Sequence, residues 1–255
     1  MKSGILALFF ALSLYSTQAQ NSTVAQRIAP DTISLGKRSL IVQPIQHASV
    51  VLTVEGKTIY VDPVGGTAKY QGLAKPDIIL ITHAHGDHFD TATLLGIMTK
   101  STMLVVPQSV ADKFKNAGEV VMANGDRKTV DELSIAAVPM YNLPAGNATP
   151  RHPKGWGNGY IISIDGRNIY LSGDTEDIPE MRALKNIDVA FVCMNLPYTM
   201  DINHAADAVL AFKPKIIYPY HYRGQGGLSD VNGFKNLVEA GNKQIDVRLR
   251  NWYPG

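Results

Sequence analysis

The chain has 255 residues, 45% of them hydrophobic and 18% charged, enough to bury one sizeable core as a single large domain. Its 24 basic and 22 acidic side chains leave a formal net charge of +2, which gives no electrostatic basis for nucleic acid or an anionic membrane as partner.

The first residues read as a targeting segment: Lys2 gives a positive start, Ile5 to Tyr15 is a short apolar run, and Thr17-Gln18-Ala19 offers a cleavage point. The run is too short to span a bilayer. Cleavage near Ala19–Gln20 would leave no integral membrane segment, and a periplasmic or secreted location is expected. Residues 20–37 are expected to be a polar tail and residues 38–255 the folded domain. Cys193, the sole cysteine, lies in the apolar run Val189 to Met194 and is expected to be a buried thiol without a disulfide.

Ser39 to Gln46 and Ser49 to Val54 read as strands, and Glu55-Gly56 turns the chain into a third, Lys57 to Val61, ended by Asp62-Pro63. Ile78 to Ile81, apolar throughout, fits a strand buried on both faces. Asp90 is the expected N-cap of a helix reaching Lys100. Met103 to Val106, Glu119 to Met122 and Leu133 to Val138 follow as strands. Prolines and glycines then forbid a regular element from Tyr141 to Gly159, a loop long enough to suggest a role, and one that contains His152 and Trp156. Beyond it, Ile161 to Tyr170 repeats Val51 to Tyr60 position by position, and Asp188 to Val192 echoes Asp77 to Ile81. Two similar halves are predicted, each a hairpin-rich sheet followed by helices, with a site at their seam. Helices are expected at Pro179, from His204 to Phe212 and from Val231 to Ala240, with strands at Lys215 to Tyr218 and Val247 to Arg250. The alternation gives an α/β class.

The chemistry gathers directly after Ile81, where His83, His85, Asp87 and His88 fall within six residues. Imidazole and carboxylate together suit a borderline-soft divalent ion, with zinc expected and manganese or iron as alternatives. In extended backbone alternate residues point the same way, so His83 and His85 can share one ion. Gly86 permits a turn that aims Asp87 and His88 at a second. Asp174, in Ser-Gly-Asp-Thr, is placed to give one oxygen to each ion, and His221 is expected beside Asp87 and His88.

The H-x-H-x-D-H pattern after an apolar strand, with Gly173-Asp174-Thr175, Pro197 to Met200 and Lys215 to Tyr222, resembles the metallo-β-lactamase superfamily. Within it the chain looks like the branch that includes ascorbate-6-phosphate lactonase and the N-acylphosphatidylethanolamine phospholipase D group. The resemblance runs from about Gln46 to Tyr222. It implies an αββα sandwich with one or two metal ions at the sheet edges. It also implies a metal-dependent hydrolase acting on a small-molecule ester, lactone, amide or phosphodiester. The acid at Asp174 departs from the classical β-lactamases, which usually carry Cys or Ser in that role.

A second departure concerns the first ion. The family's third histidine follows the strand that here ends Ala137 to Asn142, and none stands there. His152, further along the loop, would have to substitute; the alternative is His47, in Gln-His-Ala-Ser, which fits a supporting or core role equally well. His204 reads as surface. Asp62 would fix the tautomer of a ligand histidine, or simply end its strand. Asp87 would orient the nucleophile and carry its proton. Tyr198 and Tyr222 could donate to developing negative charge, with core packing as the competing reading. The missing histidine also motivates a reading from another class, a non-catalytic metal-binding or ligand-sensing protein with a degraded site.

Overall fold

The computed structural model describes residues 27–115, 119–144 and 149–253; the expected targeting segment, residues 1–19, lies outside them. In the first half, β1 (Asp31–Leu35), β2 (Arg38–Gln46), β3 (Ser49–Val54) and β4 (Lys57–Val61) form an antiparallel meander. To its edge β5 (Ile78–Leu80), β6 (Met103–Val106) and β7 (Val120–Val121) are added in parallel, giving seven strands in chain order. The second half repeats this plan. An antiparallel meander of β8 (Arg127–Val130), β9 (Leu133–Met140), β10 (Gly157–Ile164) and β11 (Arg167–Leu171) is extended in parallel by β12 (Val189–Cys193) and β13 (Ile216–Tyr220). A ribbon of β14 (Arg223–Gly224) and β15 (Gly227–Leu228) stands apart, and β16 (Asp246–Val247) completes the second sheet beside β13.

The internal repetition extends to side chains. The hairpin turns at Glu55-Gly56 and Asp165-Gly166 both place two residues at positive φ, the backbone that matches the twist of the flanking strands. Asp77 accepts the N–H of Thr58 at 2.7 Å, and Asp188 accepts that of Asn168, at the corresponding position of the second hairpin, at 2.9 Å. Each carboxylate thus staples the first parallel strand of its half to the hairpin before it.

Alternate residues of the first sheet face opposite ways. Leu52, Ile59, Ile78 and Leu80 pack toward the second sheet, while Val51, Tyr60, Ile79 and Ile81 pack under Leu94, Ile97 and Val110. Those last three belong to α1 (Thr91–Ile97), capped by Asp90 as expected, and α2 (Gln108–Ala111). After the short α3 (Pro179–Arg182), α4 (Ile202–Phe212) and α5 (Val231–Gly241) contribute Val209, Phe212, Phe234 and Val238 to the core of the second half. This is the expected αββα sandwich. Cys193 is buried and free, and burial pushes its thiol up to about 12.

Several boundaries differ from expectation. The tail expected up to Lys37 contains β1, which pairs with β2 through Asp31↔Val42 and its neighbours. The loop expected to reach Gly159 ends earlier, because β10 begins at Gly157. Its glycine is explained by crowding: a Cβ on Gly157 would stand 2.9 Å from the Cβ of His83 and from the Thr82 carbonyl. The last strand is Asp246–Val247 rather than Val247 to Arg250, and α1 stops at Ile97 instead of Lys100.

Asp188 also takes Lys215 and Arg167 at 2.8 and 3.1 Å. Asp188→Ala would leave the Asn168 amide without its acceptor and is expected to cost about 1–3 kcal/mol, lowering the melting temperature by several degrees. An unchanged melting temperature would contradict the stapling role.

Candidate metal centre

The first sheet delivers its ligand atoms where β5 runs out. Asp62, at the end of β4, takes a left-handed backbone (φ 44°) and is fully buried. Its two oxygens accept the Thr82 N–H and the Thr82 hydroxyl, each at 2.7 Å, and Oδ2 also accepts His88 Nδ1–H at 2.7 Å. Since the Thr82 hydroxyl gives its proton to Asp62, it accepts from His83 Nδ1 at 3.0 Å. Both histidines are thereby fixed with a proton on Nδ1 and Nε2 turned inward, and His83 Nε2 has no hydrogen-bond partner.

The second sheet answers from its own strand ends. His152 donates its backbone N–H and Nδ1–H to Asn142 Oδ1 at 2.8 and 3.0 Å, again leaving Nε2 free. Asn142 is held in turn through its amide by Glu176 and the Tyr198 carbonyl. Asp174 Oδ1 lies 3.3 Å from His88 Nε2 and 3.2 Å from His221 Nε2, whereas Oδ2 lies 3.4 Å from His152 Nε2. One carboxylate oxygen therefore faces each group of histidines. His221, at φ 46°, donates its backbone N–H to the His47 carbonyl at 3.1 Å, which closes the seam between the sheets.

Ligand-capable atoms fall into three overlapping groups, each within 4.8 Å: His83, His85 and His152; His83, His88 and Asp174; His47, Asp87 and His221. The donor chemistry fits a cation. His83 Nε2, His152 Nε2 and Asp174 Oδ1 are buried without a hydrogen-bond partner, and His88 Nε2 and His221 Nε2 approach to 3.1 Å. Bare lone pairs converging in a buried place are costly unless a cation accepts them.

Electrostatics point the same way. Burial holds His83 well below its usual pKa and takes His152 down to about 4, so both stay neutral and able to coordinate. Burial also opposes charge on His88, but Asp174 and Asp62 on either side hold it well above the usual value. Burial would raise Asp174, yet His221 and His88 hold it well below the carboxylate range. Asp87 is likewise lowered: burial acts against the shift, and the His47 contact at 3.2 Å with the nearby His88 outweighs it.

All of the histidines and acids expected at the centre, His47, His83, His85, Asp87, His88, His152, Asp174 and His221, come together. His152 falls with His83 and His85 in one group, and His47 with Asp87 and His221 in another. His204 is exposed beside Asp201, as expected. Tyr222 is a correction: its hydroxyl donates to the Arg250 carbonyl and accepts the Trp252 N–H, both at 3.1 Å, so it anchors the C-terminal segment instead of facing the centre. Tyr198 offers its carbonyl to Asn142 and its ring to Arg151. Gly86 is also corrected. The turn forms through His88 N–H to the His85 carbonyl, but Gly86 lacks positive φ and a Cβ there would meet open space. Thr82 and Asn142 escaped the sequence reading, although a hydroxyl just before His83 was a visible cue for the first.

A family model described as a beta-lactamase superfamily domain matches residues 42–221. The chain belongs to this superfamily. It is 33% identical over 212 residues to a UPF0173 metal-dependent hydrolase of Pyrococcus abyssi, covering 77% of this chain and 91% of that one. A crystal structure assigned as a metal-dependent hydrolase of Parabacteroides distasonis is similar with a TM-score of 0.80 and 38% identity, covering 89% of this chain and all of the other. The metallo hydrolase Igni18 of Ignicoccus hospitalis gives 0.70 and 27% over 85% of this chain and 96% of its own. The curated relatives of this identity and coverage are metal-dependent hydrolases, which makes the chain one as well, and the reading as a non-catalytic binder is set aside.

Two outcomes follow for this superfamily member. Asp62→Ala frees both tautomers at once and is expected to weaken metal affinity about 10- to 100-fold, measured by competition with a chromophoric chelator. Because the metal-free centre keeps a proton on His88, loading near neutral pH should expel about one proton per chain, and affinity should fall as pH is lowered. Calorimetry in buffers of different ionisation enthalpy reads this directly; heats that do not vary with buffer would contradict it.

Proposed function

We propose that the chain is a dinuclear zinc hydrolase, exported to the periplasm or secreted, that cleaves a small ester, lactone, amide or phosphodiester. The observation that carries this reading is the carboxylate of Asp174, whose two oxygens are turned to two different sets of histidines. His83, His85 and His152 would hold one ion, Asp87, His88 and His221 the other, with Asp174 between them. Five imidazoles with two carboxylates favour zinc over harder ions. Lys2 and the apolar run after it support export.

When bound, such ions supply Lewis acidity and lower the pKa of water toward about 7. The protein's share is orientation and proton handling. Asp62 and Thr82 keep the Nδ1 protons of His88 and His83 in place, and Asn142 does so for His152. Asp87 accepts from His47 Nε2–H at 3.2 Å, which holds its carboxylate in place to orient the nucleophile and take up its proton. His47 in turn lines an open cleft of about 440 Å³ beside Asp87, Gly86 and Arg223, where a small substrate can enter. Trp156, its ring centroid 4.7 Å from that of His85, walls the other side.

Asp174→Ala is expected to abolish turnover and to lower the bound metal from about two ions to about one per chain or fewer. Turnover would be screened on lactone, amide and bis-p-nitrophenyl phosphate substrates with chelator controls, and metal read by elemental analysis. Full activity and unchanged metal content in that variant would refute the bridging role. Reconstitution of stripped protein with zinc, manganese or iron tests the choice of ion, and zinc is expected to restore the highest activity.

A further inference from the structure

The chain's arginines divide into two kinds. Arg38, Arg167, Arg182, Arg248 and Arg250 are paired with carboxylates, while Arg27 donates to the Gln71 carbonyl and Arg127 to the Ser134 hydroxyl. Arg151 and Arg223 are different: among the described residues neither guanidinium has an oxygen partner, and each lies instead over a tyrosine ring. Arg151 sits 4.6 Å from the centre of the Tyr198 ring and Arg223 4.2 Å from that of Tyr253.

Both flank the metal centre. Arg151 immediately precedes His152, whose Nε2 lies 3.4 Å from Asp174, and it stacks on Tyr198, whose carbonyl holds the Asn142 that orients His152. Arg223 follows His221 by two residues and lines the open cleft with His47, Asp87 and Tyr253. The two acids in that cleft wall are already engaged: Asp87 with His47, and Asp90 with the amides of Ala92 and Thr93 at the start of α1. They leave the guanidinium unclaimed.

We propose that Arg151 and Arg223 bind an anionic group on the substrate, so that the centre acts on small molecules carrying a carboxylate or a phosphate in addition to the bond it cleaves. A guanidinium stacked on an aromatic face is held in orientation while its N–H edge stays open, the geometry that a planar carboxylate or phosphate oxygens take up in bidentate fashion. Tyr198 and Tyr253 act as positioning residues beneath them. The inference rests on the hydrolase reading of the adjoining centre.

The test uses the full zinc-loaded chain and acyl esters matched in size, ending in a carboxylate, a phosphate or a neutral methyl ester. Wild-type protein should prefer the anionic esters in kcat/KM, and the better of the two identifies the anion. Arg223→Ala and Arg151→Ala should each lower the anionic-to-neutral ratio about 10- to 100-fold, and Arg223→Lys should recover only part of it. Arg127→Ala, on β8, should leave the ratio unchanged. In parallel, succinate and inorganic phosphate would be titrated calorimetrically into metal-free protein, where loss of binding in the two alanine variants is expected. Equal preference for the neutral ester, or ratios and anion binding untouched in both variants, would overturn the proposal. No turnover of any ester by zinc-loaded protein would count against the hydrolase reading, and anion binding would then decide the inference by itself.

Discussion

The buried carboxylate of Asp62 is the contact on which the site's order depends. A fully buried negative charge is expensive unless its lone pairs are filled. Here they are filled by groups that the chemistry needs held still: the Thr82 amide and hydroxyl and the Nδ1 proton of His88. Through the Thr82 hydroxyl the same charge also determines which nitrogen of His83 is bare. One aspartate at the end of β4 therefore orients two imidazoles delivered by β5, and it does so from a backbone conformation that L-residues seldom adopt.

His47 and His221 share that left-handed conformation, and both stand where the two sheets meet. The meeting is stitched by backbone groups, His221 N–H to the His47 carbonyl on one side and Asn158 N–H to the Thr82 carbonyl at 2.8 Å on the other. Tyr160 adds its hydroxyl to the Ile81 carbonyl at 2.9 Å. Sheet packing alone would leave the strand ends free to shift against each other. These bonds fix the spacing of ligand atoms that lie far apart in sequence.

Much of this was legible in the residues. The apolar run Ile78 to Ile81 followed by clustered histidines carried both a strand and a site, and the repeat of Val51 to Tyr60 at Ile161 to Tyr170 carried the two-half plan. The site was harder where support came through short polar side chains. Asn142 has no periodicity or motif to mark it, and Thr82, although it stands beside His83, shows its role only through Asp62, which is distant in sequence. Tyr222 misled because an aromatic next to His221 suggests chemistry, whereas its hydroxyl is taken by backbone near the C-terminus, a contact that only tertiary structure reveals. The strand β1 was hidden in a polar segment: as an edge strand it buries only one face, shown by its alternation of Ile33 and Leu35 with exposed neighbours.

The duplicated architecture has a mechanical consequence. Each half contributes part of the ligand-capable set, His83 to His88 from one and His152, Asp174 and His221 from the other, so a cation held at the seam would act as a removable rivet between two self-similar modules. Its grip would add to the cohesion of the whole sandwich. Stripping the ions should then loosen the entire molecule, including helices remote from the ligands, and not only the loops that touch them.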